Sequence, residues 1–294
     1  MKTSTLMITL LLAVGMVATA TADTLSKIAE NNKMTVSYRE ASVPFSYLAG
    51  ASKAVGFSVD VAEAIIGAVK TKLNKPNLQV DYMSVTSQNR IPLLVNGTID
   101  LECGSTTNNA ARGKDVTFAV NHFYTGTRLA VKKSSGIKSY ADLAKKTVAS
   151  ATGTTNSQVI RKYNADHNLG MDIILGKDLD DPLLMVQNDR AVAYAMDDII
   201  LFGLIANSKD PASLEVVGEA LQVEPYACMV RKNDPAFKAL VDGVITGLMK
   251  SGDFEKLYTK WFMSPIPPKN ISLNLPMSQQ LRDNLKAQSD KPAM

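Results

Sequence analysis

Apolar and polar residues alternate along the first hundred residues in a pattern that predicts strands separated by helices. The predicted elements are a strand over 34–40, a helix over 56–73, a strand over 78–85, a short helix over 86–97 and a strand over 98–104. Val61, Ile65 and Val69 share one face of the longer helix, and Thr86 or Ser87 is the expected N-cap of the shorter one. This β-α-β-α-β order predicts a parallel sheet with helices on its faces.

The same alternation restarts further along the chain. Strands are predicted over 126–133, 147–150, 171–175, 191–196 and 225–234, and helices over 139–146, 155–167, 181–189, from Asp198 onward, and in two segments after 234. The second group is an α/β unit similar in size to the first. The predicted fold class is therefore α/β, with two lobes and a cleft between them.

The N-terminus has the organisation of a secretory signal peptide. Met1 and Lys2 form a short basic region, residues 6–17 are apolar, and the small residues of 20–22 form an A-x-A cleavage site before Asp23. An uncleaved membrane anchor is the alternative, but the apolar run is short for a membrane span. We therefore expect residues 1–22 to be removed and the remainder to be exported to the periplasm.

Composition restricts the class of partner. The 294 residues carry a net charge of +4 with both signs interspersed, and no run of basic residues predicts a nucleic-acid partner. The two cysteines, Cys103 and Cys228, both lie in apolar segments. In an oxidising compartment they could form a disulfide, or each could be a small buried side chain with no partner. A nucleophilic role is less favoured because neither has a local base.

Polar residues cluster directly after several predicted strands. These clusters are Arg39-Glu40, Thr86-Ser87, Ser105 to Thr107, Thr152 to Thr155 and Asp197-Asp198. Each could simply cap the helix that follows it. Ligands of open α/β sheets, however, bind beyond the carboxyl ends of the strands, where helix N-termini present free N–H groups. Five such clusters, two of them with an arginine nearby, indicate a polar ligand site.

These segments resemble a known protein family. The stretches that carry the resemblance are "YREASVPFSY", "TSQNRIPLLVNGTIDLECGSTTNNAAR", "TGTT", "AVAYAMDD", "ACMVRKNDPAFKAL" and "KWFMSPIPPKNISLN". Together they resemble the periplasmic solute-binding proteins of polar amino-acid ABC transporters, above all the glutamate/aspartate-binding members. The resemblance implies two α/β lobes joined by two hinge strands, with 24–123 plus 225–294 as lobe 1 and 124–224 as lobe 2. It also implies a monomer that delivers its ligand to a membrane permease.

An α-amino acid carries a carboxylate and an ammonium, and a closed cleft must pair both charges. Arg112 suits the carboxylate because its planar guanidinium donates two parallel hydrogen bonds. Asp197, at the end of an apolar strand, is the expected partner of the ammonium. The family resemblance assigns the same two roles, and the hydroxyls expected to assist are Ser105, Thr107, Thr152 and Thr155. A surface arginine and helix-capping Asp and Thr residues are the alternative.

Selectivity is expected from Arg39, Ser87 and Arg90. Ser87 and Arg90 are three residues apart, so a helix would place them on one face. The resemblance implies that these three hold a side-chain carboxylate, although each arginine could instead form a surface ion pair. The glutamate/aspartate-binding proteins that the sequence resembles carry a histidine in the segment matching 176–183, which contacts the far end of the ligand, and here Leu179 takes that position. Glutamate, aspartate or a related small amino acid with a second carboxylate therefore all remain open as ligands.

Two other classes of function compete with transport. An exported dehydratase-like enzyme would need a general acid over the ligand, and only Glu40 and Glu102 are available at strand ends. The sequence contains no HExxH, GxSxG, P-loop or paired CxxC motif. We therefore expect no catalysis, no cofactor and no metal. A receptor module that senses the same ligand without transport is the other alternative.

Overall fold

The computed structural model describes residues 23–50 and 52–293, so the expected signal peptide lies outside the described residues. The N-terminal part contains helices α1 (Thr24–Asn31), α2 (Phe57–Lys72) and α3 (Arg90–Val95) and strands β1 (Lys33–Tyr38), β2 (Ala41–Ser42), β3 (Ser46–Leu48), β4 (Ala54–Val55), β5 (Gln79–Ser84) and β6 (Val116–Phe118). The helix face predicted to be buried in α2 is buried, since Val61, Ile65 and Val69 are all inaccessible to solvent.

The middle of the chain forms a second group of elements. Its strands are β7 (Phe123–Lys132), β8 (Thr147–Ala151), β9 (Asp172–Gly176), β10 (Ala193–Asp197), β11 (Leu214–Val217) and β12 (Val223–Tyr226), and its helices are α4 (Thr155–Asp166), α5 (Asp181–Gln187) and α6 (Asp198–Asn207). The predicted helix over 139–146 is only a 3-10 turn at Tyr140–Leu143. Strand β11 was not predicted from the sequence.

The C-terminal part returns to the first group. It contains β13 (Met229–Arg231), β14 (Pro265–Ile266), β15 (Ile271–Ser272), α7 (Pro235–Ser251), α8 (Asp253–Tyr258) and α9 (Gln279–Ala287). The single strand predicted over 225–234 is thus two strands, β12 and β13. Across the described ranges, no helix has the length and apolar character needed to cross a membrane.

The first lobe, built from the N-terminal and C-terminal parts, has a parallel pair at its centre. β1 runs parallel to β5, and Val36 of β1 forms a parallel bridge to Leu101. The strand predicted over 98–104 is wrong in extent, because it is reduced to bridges at Leu101 and Glu102. Glu102 bridges to Met229 of β13, which pairs antiparallel with β6. The chain segment after Glu102 is therefore free to turn into the polar loop that follows.

The second lobe is built on one mixed sheet with the order β11-β7-β10-β8-β9. β8, β9 and β10 are mutually parallel, and their carboxyl ends lie at the same edge. β7 is long enough to pair antiparallel with β10 and β11, and with β12 near its beginning. The sheet edge at Ala151, Gly176 and Asp197 therefore carries the loops that face the first lobe.

Two antiparallel segments connect the lobes. Phe123 pairs with Tyr226 and Gly126 with Val223, so β7 leaves the first lobe beside the returning β12. The ring of Phe45 lies 4.9 Å from that of Phe123 and 5.2 Å from that of Tyr226, measured between centroids. This aromatic packing fixes the position of Tyr226 at the base of the connection.

A disulfide and the C-terminal segment support the polar loop after Glu102. Cys103 and Cys228 are bonded to each other in the structure. The backbone N–H of Ala293 donates to the carbonyl of Asn108, and the Asn108 amide donates to the carbonyl of Asp290. Both ends of the loop are thereby held against neighbouring segments.

Candidate ligand-binding cleft

Three arginines of the first lobe meet at the carboxyl ends of its strands. Arg39 directly follows β1, Arg90 is the first residue of α3, and Arg112 begins a short 3-10 turn. Arg39 is 1% and Arg90 2% exposed. Burial, followed by the charges of Arg112 and Arg39, lowers the pKa of Arg90 to about 9. Two buried guanidinium groups, with the half-buried Arg112 near them, favour an anionic ligand.

Two of these guanidinium groups have N–H donors from which no described residue accepts a hydrogen bond. Nη2 of Arg39 donates to Oγ of Ser87 at 3.0 Å and to Oδ1 of Asp178 at 2.6 Å. Within residues 23–50 and 52–293, neither Nε nor Nη1 of Arg39 or Arg90 has a hydrogen-bond partner. Buried donors are normally paired, and a carboxylate supplies acceptors in the geometry that a guanidinium requires.

Arg112 is held by the backbone of both lobes. Its Nη1 donates to the carbonyl of Thr107 at 2.9 Å, and its Nη2 donates to the carbonyl of Gly153 at 3.1 Å. Burial lowers the pKa of Arg112, whereas the carboxylates of Glu224, Glu102 and Asp197 act in the opposite direction. A guanidinium has five N–H donors, so these two bonds orient Arg112 and leave others for a ligand.

The expected hydroxyl groups fall into two sets. Thr107 Oγ1 lies 3.2 Å from Thr155 Oγ1, and Thr155 donates to Glu224 at 2.7 Å. Ser105 accepts a hydrogen bond from Ser42 at 2.6 Å. Thr152 behaves differently, because its hydroxyl donates to the carbonyl of Gly176 within the second lobe. Ser105, Thr107 and Thr155 are buried with the arginines, whereas the Thr152 hydroxyl joins the loops after β8 and β9.

Asp197 supplies the opposite charge at the end of β10. It is buried and accepts hydrogen bonds from the Asn156 amide and the Tyr226 hydroxyl. Burial and the nearby charge of Glu224 raise the pKa of Asp197, while the bonds from Tyr226 and Asn156 lower it. Its two donors are neutral, so a ligand cation would relieve the cost of the buried charge.

The helix predicted from Asp198 onward begins at that residue as α6, and the Asp198 carboxylate accepts a hydrogen bond from Thr125 at 2.6 Å. The expected start of the shorter helix at Thr86 or Ser87 is wrong. Helix α3 begins at Arg90, so Ser87 lies in the preceding turn, which Thr86 and Asn89 close by reciprocal side-chain bonds. Ser87 still accepts a hydrogen bond from Arg39, because the turn places its hydroxyl next to the Arg39 guanidinium.

The loops of the two lobes are in direct contact over this site. Gly153 has φ +77°, and a Cβ at this position would lie 2.7 Å from the backbone N and Cα of Gln88. Only glycine fits such an approach of two backbones. Together with the bonds from Arg39 to Asp178 and from Arg112 to Gly153, this contact encloses the charged groups between the lobes.

Four buried or cleft-facing residues were missed by sequence reasoning. Asp178 follows β9, so the rule that polar residues after strands form sites would have found it. Asn156, Glu224 and Tyr226 join Thr155 and Asp197 through hydrogen bonds. Glu224 and Tyr226 belong to a strand whose pairing with β7 gives no local sequence signal.

One group in the described part of the chain has the composition of a metal site. The side chains of Cys103, His122 and Cys228 are all buried, with ligand atoms within 4.8 Å of one another. Both sulfurs are taken up by the disulfide, so the cluster offers no pair of thiolates. Burial lowers the pKa of His122 to about 4, and its Nε2 contacts the carbonyl of Gly104 at 3.4 Å.

Two α/β lobes joined by paired strands, with a charged and enclosed cleft between them, define a two-lobed solute-binding protein. Residues 34–264 match the model of the bacterial extracellular solute-binding proteins, family 3. The chain belongs to this family.

Two bacterial binding proteins are similar to this chain over nearly its whole length. The chain is 48% identical over 274 residues to a glutamate/aspartate import solute-binding protein of Salmonella typhimurium, covering 93% of this chain and 91% of that protein. It is 46% identical to the L-glutamate/L-aspartate-binding protein of Pseudomonas aeruginosa, with 99% and 96% covered. Among solved structures, a mutant of ArgBP from T. maritima has a TM-score of 0.71 at 27% identity, with 81% of this chain and 98% of that chain covered.

Proposed function

We propose that the protein is the substrate-binding component of an ABC importer and captures an acidic amino acid, L-glutamate or L-aspartate. The observation that carries this proposal is the set of unused N–H donors on Arg39 and Arg90, buried across the cleft from the carboxylate of Asp197. A ligand with one ammonium and two carboxylates has charges complementary to this arrangement. Both relatives named above are binding proteins for glutamate and aspartate.

The head group of the ligand is assigned to groups from both lobes. Arg112 binds the α-carboxylate, and Asp197 binds the ammonium. Hydroxyl groups of Ser105, Thr107 and Thr155 complete this half of the site. Thr152 acts indirectly, since its hydroxyl holds the carbonyl of Gly176 and so fixes the loop that carries Thr155.

The side-chain carboxylate is assigned to Arg39, Ser87 and Arg90. A lysine or histidine ligand would bring a cation against these arginines, and a glutamine ligand would leave their charge uncompensated. Charge complementarity therefore favours an acidic ligand. The names of the two relatives, which are binding proteins for glutamate and aspartate, support this proposal.

Transport requires a partner and a location. We propose that residues 1–22 direct export to the periplasm and that closure of lobe 1 (24–123 plus 225–294) on lobe 2 (124–224) presents a surface to a membrane permease. The antiparallel pairing of β7 with β12 supports these boundaries.

We expect a monomer, which size-exclusion chromatography with light scattering would test. A catalytic role is not favoured, because the close relatives are transport binding proteins.

Isothermal titration calorimetry with L-glutamate, L-aspartate, L-glutamine and L-arginine tests the assignment. We expect the two acidic amino acids to bind more tightly than the others, and equal or tighter binding of arginine would contradict it. Arg112→Ala should abolish measurable binding, whereas Arg39→Ala should weaken glutamate more than glutamine. Arg161→Ala, on the exposed surface of α4, is the matched control and should bind as the wild type does.

A further inference from the structure

Tyr194 is a buried tyrosine whose hydroxyl has no role in the sites described above. It lies on β10, three residues before Asp197, and its side chain is 0% exposed. In the part of the chain that the structure describes, its hydroxyl has no hydrogen-bond partner. Burying a hydroxyl without a partner is unfavourable, so such a group calls for a functional explanation.

The hydroxyls of the other buried tyrosines among the described residues all have partners. Tyr226 donates to Asp197, Tyr140 to the carbonyls of Thr127 and Glu219, Tyr47 to the carbonyl of Pro267, and Tyr258 to the carbonyl of Leu275. The fold thus pairs tyrosine hydroxyls even where only a backbone acceptor is available. Tyr194 keeps a donor free in an environment where pairing is the rule.

Helix α5 packs against β8 and β10, and the loop that leads into α5 carries Asp178, so Tyr194 of β10 belongs to the part of the second lobe that meets Arg39. Beyond the effect of burial, the carboxylates of Asp178, Asp197 and Asp180 raise the pKa of Tyr194, and Arg39 lowers it. The charges that act on the Tyr194 hydroxyl agree with this position, since Arg39 belongs to the first lobe and Tyr194 to the second. Asp178 is itself bonded to Arg39, which identifies this end as the one that carries the Arg39 guanidinium.

The residue next to Asp178 adds no polar atom at this end. Leu179 is buried and belongs to the same apolar cluster as Tyr194. The buried or half-buried polar side chains that the second lobe contributes here include the carboxylate of Asp178 and the phenol of Tyr194, whereas Lys177 and Asp180 are exposed. A ligand carboxylate would be repelled by Asp178, so the phenol is the group that can donate to it.

We propose that Tyr194 is a specificity-determining residue of the cleft whose hydroxyl donates a hydrogen bond to the side-chain carboxylate of the bound acidic amino acid, beside Arg39. The inference rests on the proposed function, because it needs a ligand with a second carboxylate. A phenol–carboxylate bond is charge-assisted, and the phenol brings no charge of its own into the cleft. Because Tyr194 belongs to the second lobe and Arg39 to the first, the two groups can share one carboxylate only when the lobes are closed.

Tyr194→Phe tests the inference because it removes one oxygen and keeps the ring. Loss of a hydrogen bond to a charged group should weaken binding of L-glutamate or L-aspartate by about 10- to 100-fold in calorimetry. Binding of L-2-aminobutyrate, which has the amino-acid head group without a second carboxylate, should change little when measured by displacement. The melting temperature of the ligand-free variant should equal or exceed that of the wild type, since the hydroxyl has no protein partner to lose.

Tyr258→Phe is the matched control, because its hydroxyl bonds a backbone carbonyl in the first lobe. It should lower the melting temperature and leave both affinities unchanged. Wild-type affinity for the acidic ligands in Tyr194→Phe would overturn the inference, as would an equal loss for L-2-aminobutyrate. If the wild type itself bound neither acidic amino acid, the proposed function would fail, which is a separate outcome.

Discussion

Arg39 and Asp178 form an ion pair that joins the two lobes. The Nη2–Oδ1 distance is 2.6 Å, and the same Nη2 also donates to Ser87. The second lobe thereby holds the guanidinium by one nitrogen, while its Nε and Nη1 remain available to a ligand. An ion pair this close needs the closed arrangement of the lobes, so closure and the orientation of Arg39 depend on each other.

Asp178→Asn should weaken binding of the acidic ligand by about tenfold, because it removes a charge pair that only the closed form can make. Loss of a negative charge near the ligand acts in the opposite direction, but over a longer distance than the 2.6 Å contact. We expect the change to fall mainly on the dissociation rate, which stopped-flow fluorescence would measure.

The control for this variant is Asp181→Asn, at the first residue of α5, three residues after Asp178. Asp181 accepts a hydrogen bond from the Lys177 backbone within the second lobe. It should leave the dissociation rate close to the wild-type value. Equal effects of the two substitutions would mean that the loop, and not the pair with Arg39, is responsible.

Gly153→Ala should impair closure, because its Cβ would lie 2.7 Å from the Gln88 backbone. We expect affinity to fall at least about tenfold, from this clash and from the cost of a positive φ for alanine.

The control is Gly170→Ala, which is matched in backbone conformation, with φ +64° and only the Lys145 side chain nearby at 3.9 Å. It should lower stability without changing affinity. Calorimetry and thermal denaturation of both variants distinguish closure from backbone strain, and similar affinities would contradict the role of Gly153.

Ligand binding should release protons at acidic pH. Burial and Glu224 raise the pKa of Asp197 in the protein alone, and a ligand ammonium stabilises its ionised form. Affinity should therefore decrease as pH falls through the raised pKa and the carboxyl becomes protonated. Calorimetry in buffers of different ionisation enthalpy counts the protons released. Binding without any proton exchange across this range would show that Asp197 is already ionised or does not meet the ammonium.

Stability should fall on acidification because of His122. Burial lowers its pKa to about 4 from the ordinary value of 6.5, so the unfolded chain binds a proton between these values while the folded protein does not. Stability is complete above pH 6.5 and decreases as pH falls towards 4, by up to about 3 kcal/mol. His122→Gln should flatten this part of the pH profile of urea denaturation. Exposed His167→Gln is the control, and an unchanged profile in His122→Gln would contradict the prediction.

The local pattern of the sequence was sufficient for the elements that present the site. Apolar strands followed at once by polar residues predict where loops meet, and Arg39, Ser87 and Thr155 do lie at such junctions. The α2 face was also predicted correctly, because helical spacing is a local property. Where a strand is held by only two bridges, as at Leu101 and Glu102, the apolar pattern overestimates its length.

Groups that depend on contacts between distant segments could not be predicted in this way. Tyr226 reaches Asp197 through the pairing of β12 with β7, and Asp178 reaches Arg39 only because the lobes meet. Tyr194 lies within an apolar strand, where a tyrosine is indistinguishable from a core residue. That its hydroxyl lacks a hydrogen-bond partner among the described residues can be recognised only from the three-dimensional positions of the surrounding residues.

The contact of Gly153 with Gln88 has a kinetic consequence. Once two backbones touch above an enclosed solute, diffusion of the solute out of the cleft is no longer an independent step. Its residence time then equals the waiting time for the lobes to part. The rate at which the solute leaves is then set by the separation of the lobes and not by the strength of the side-chain contacts alone.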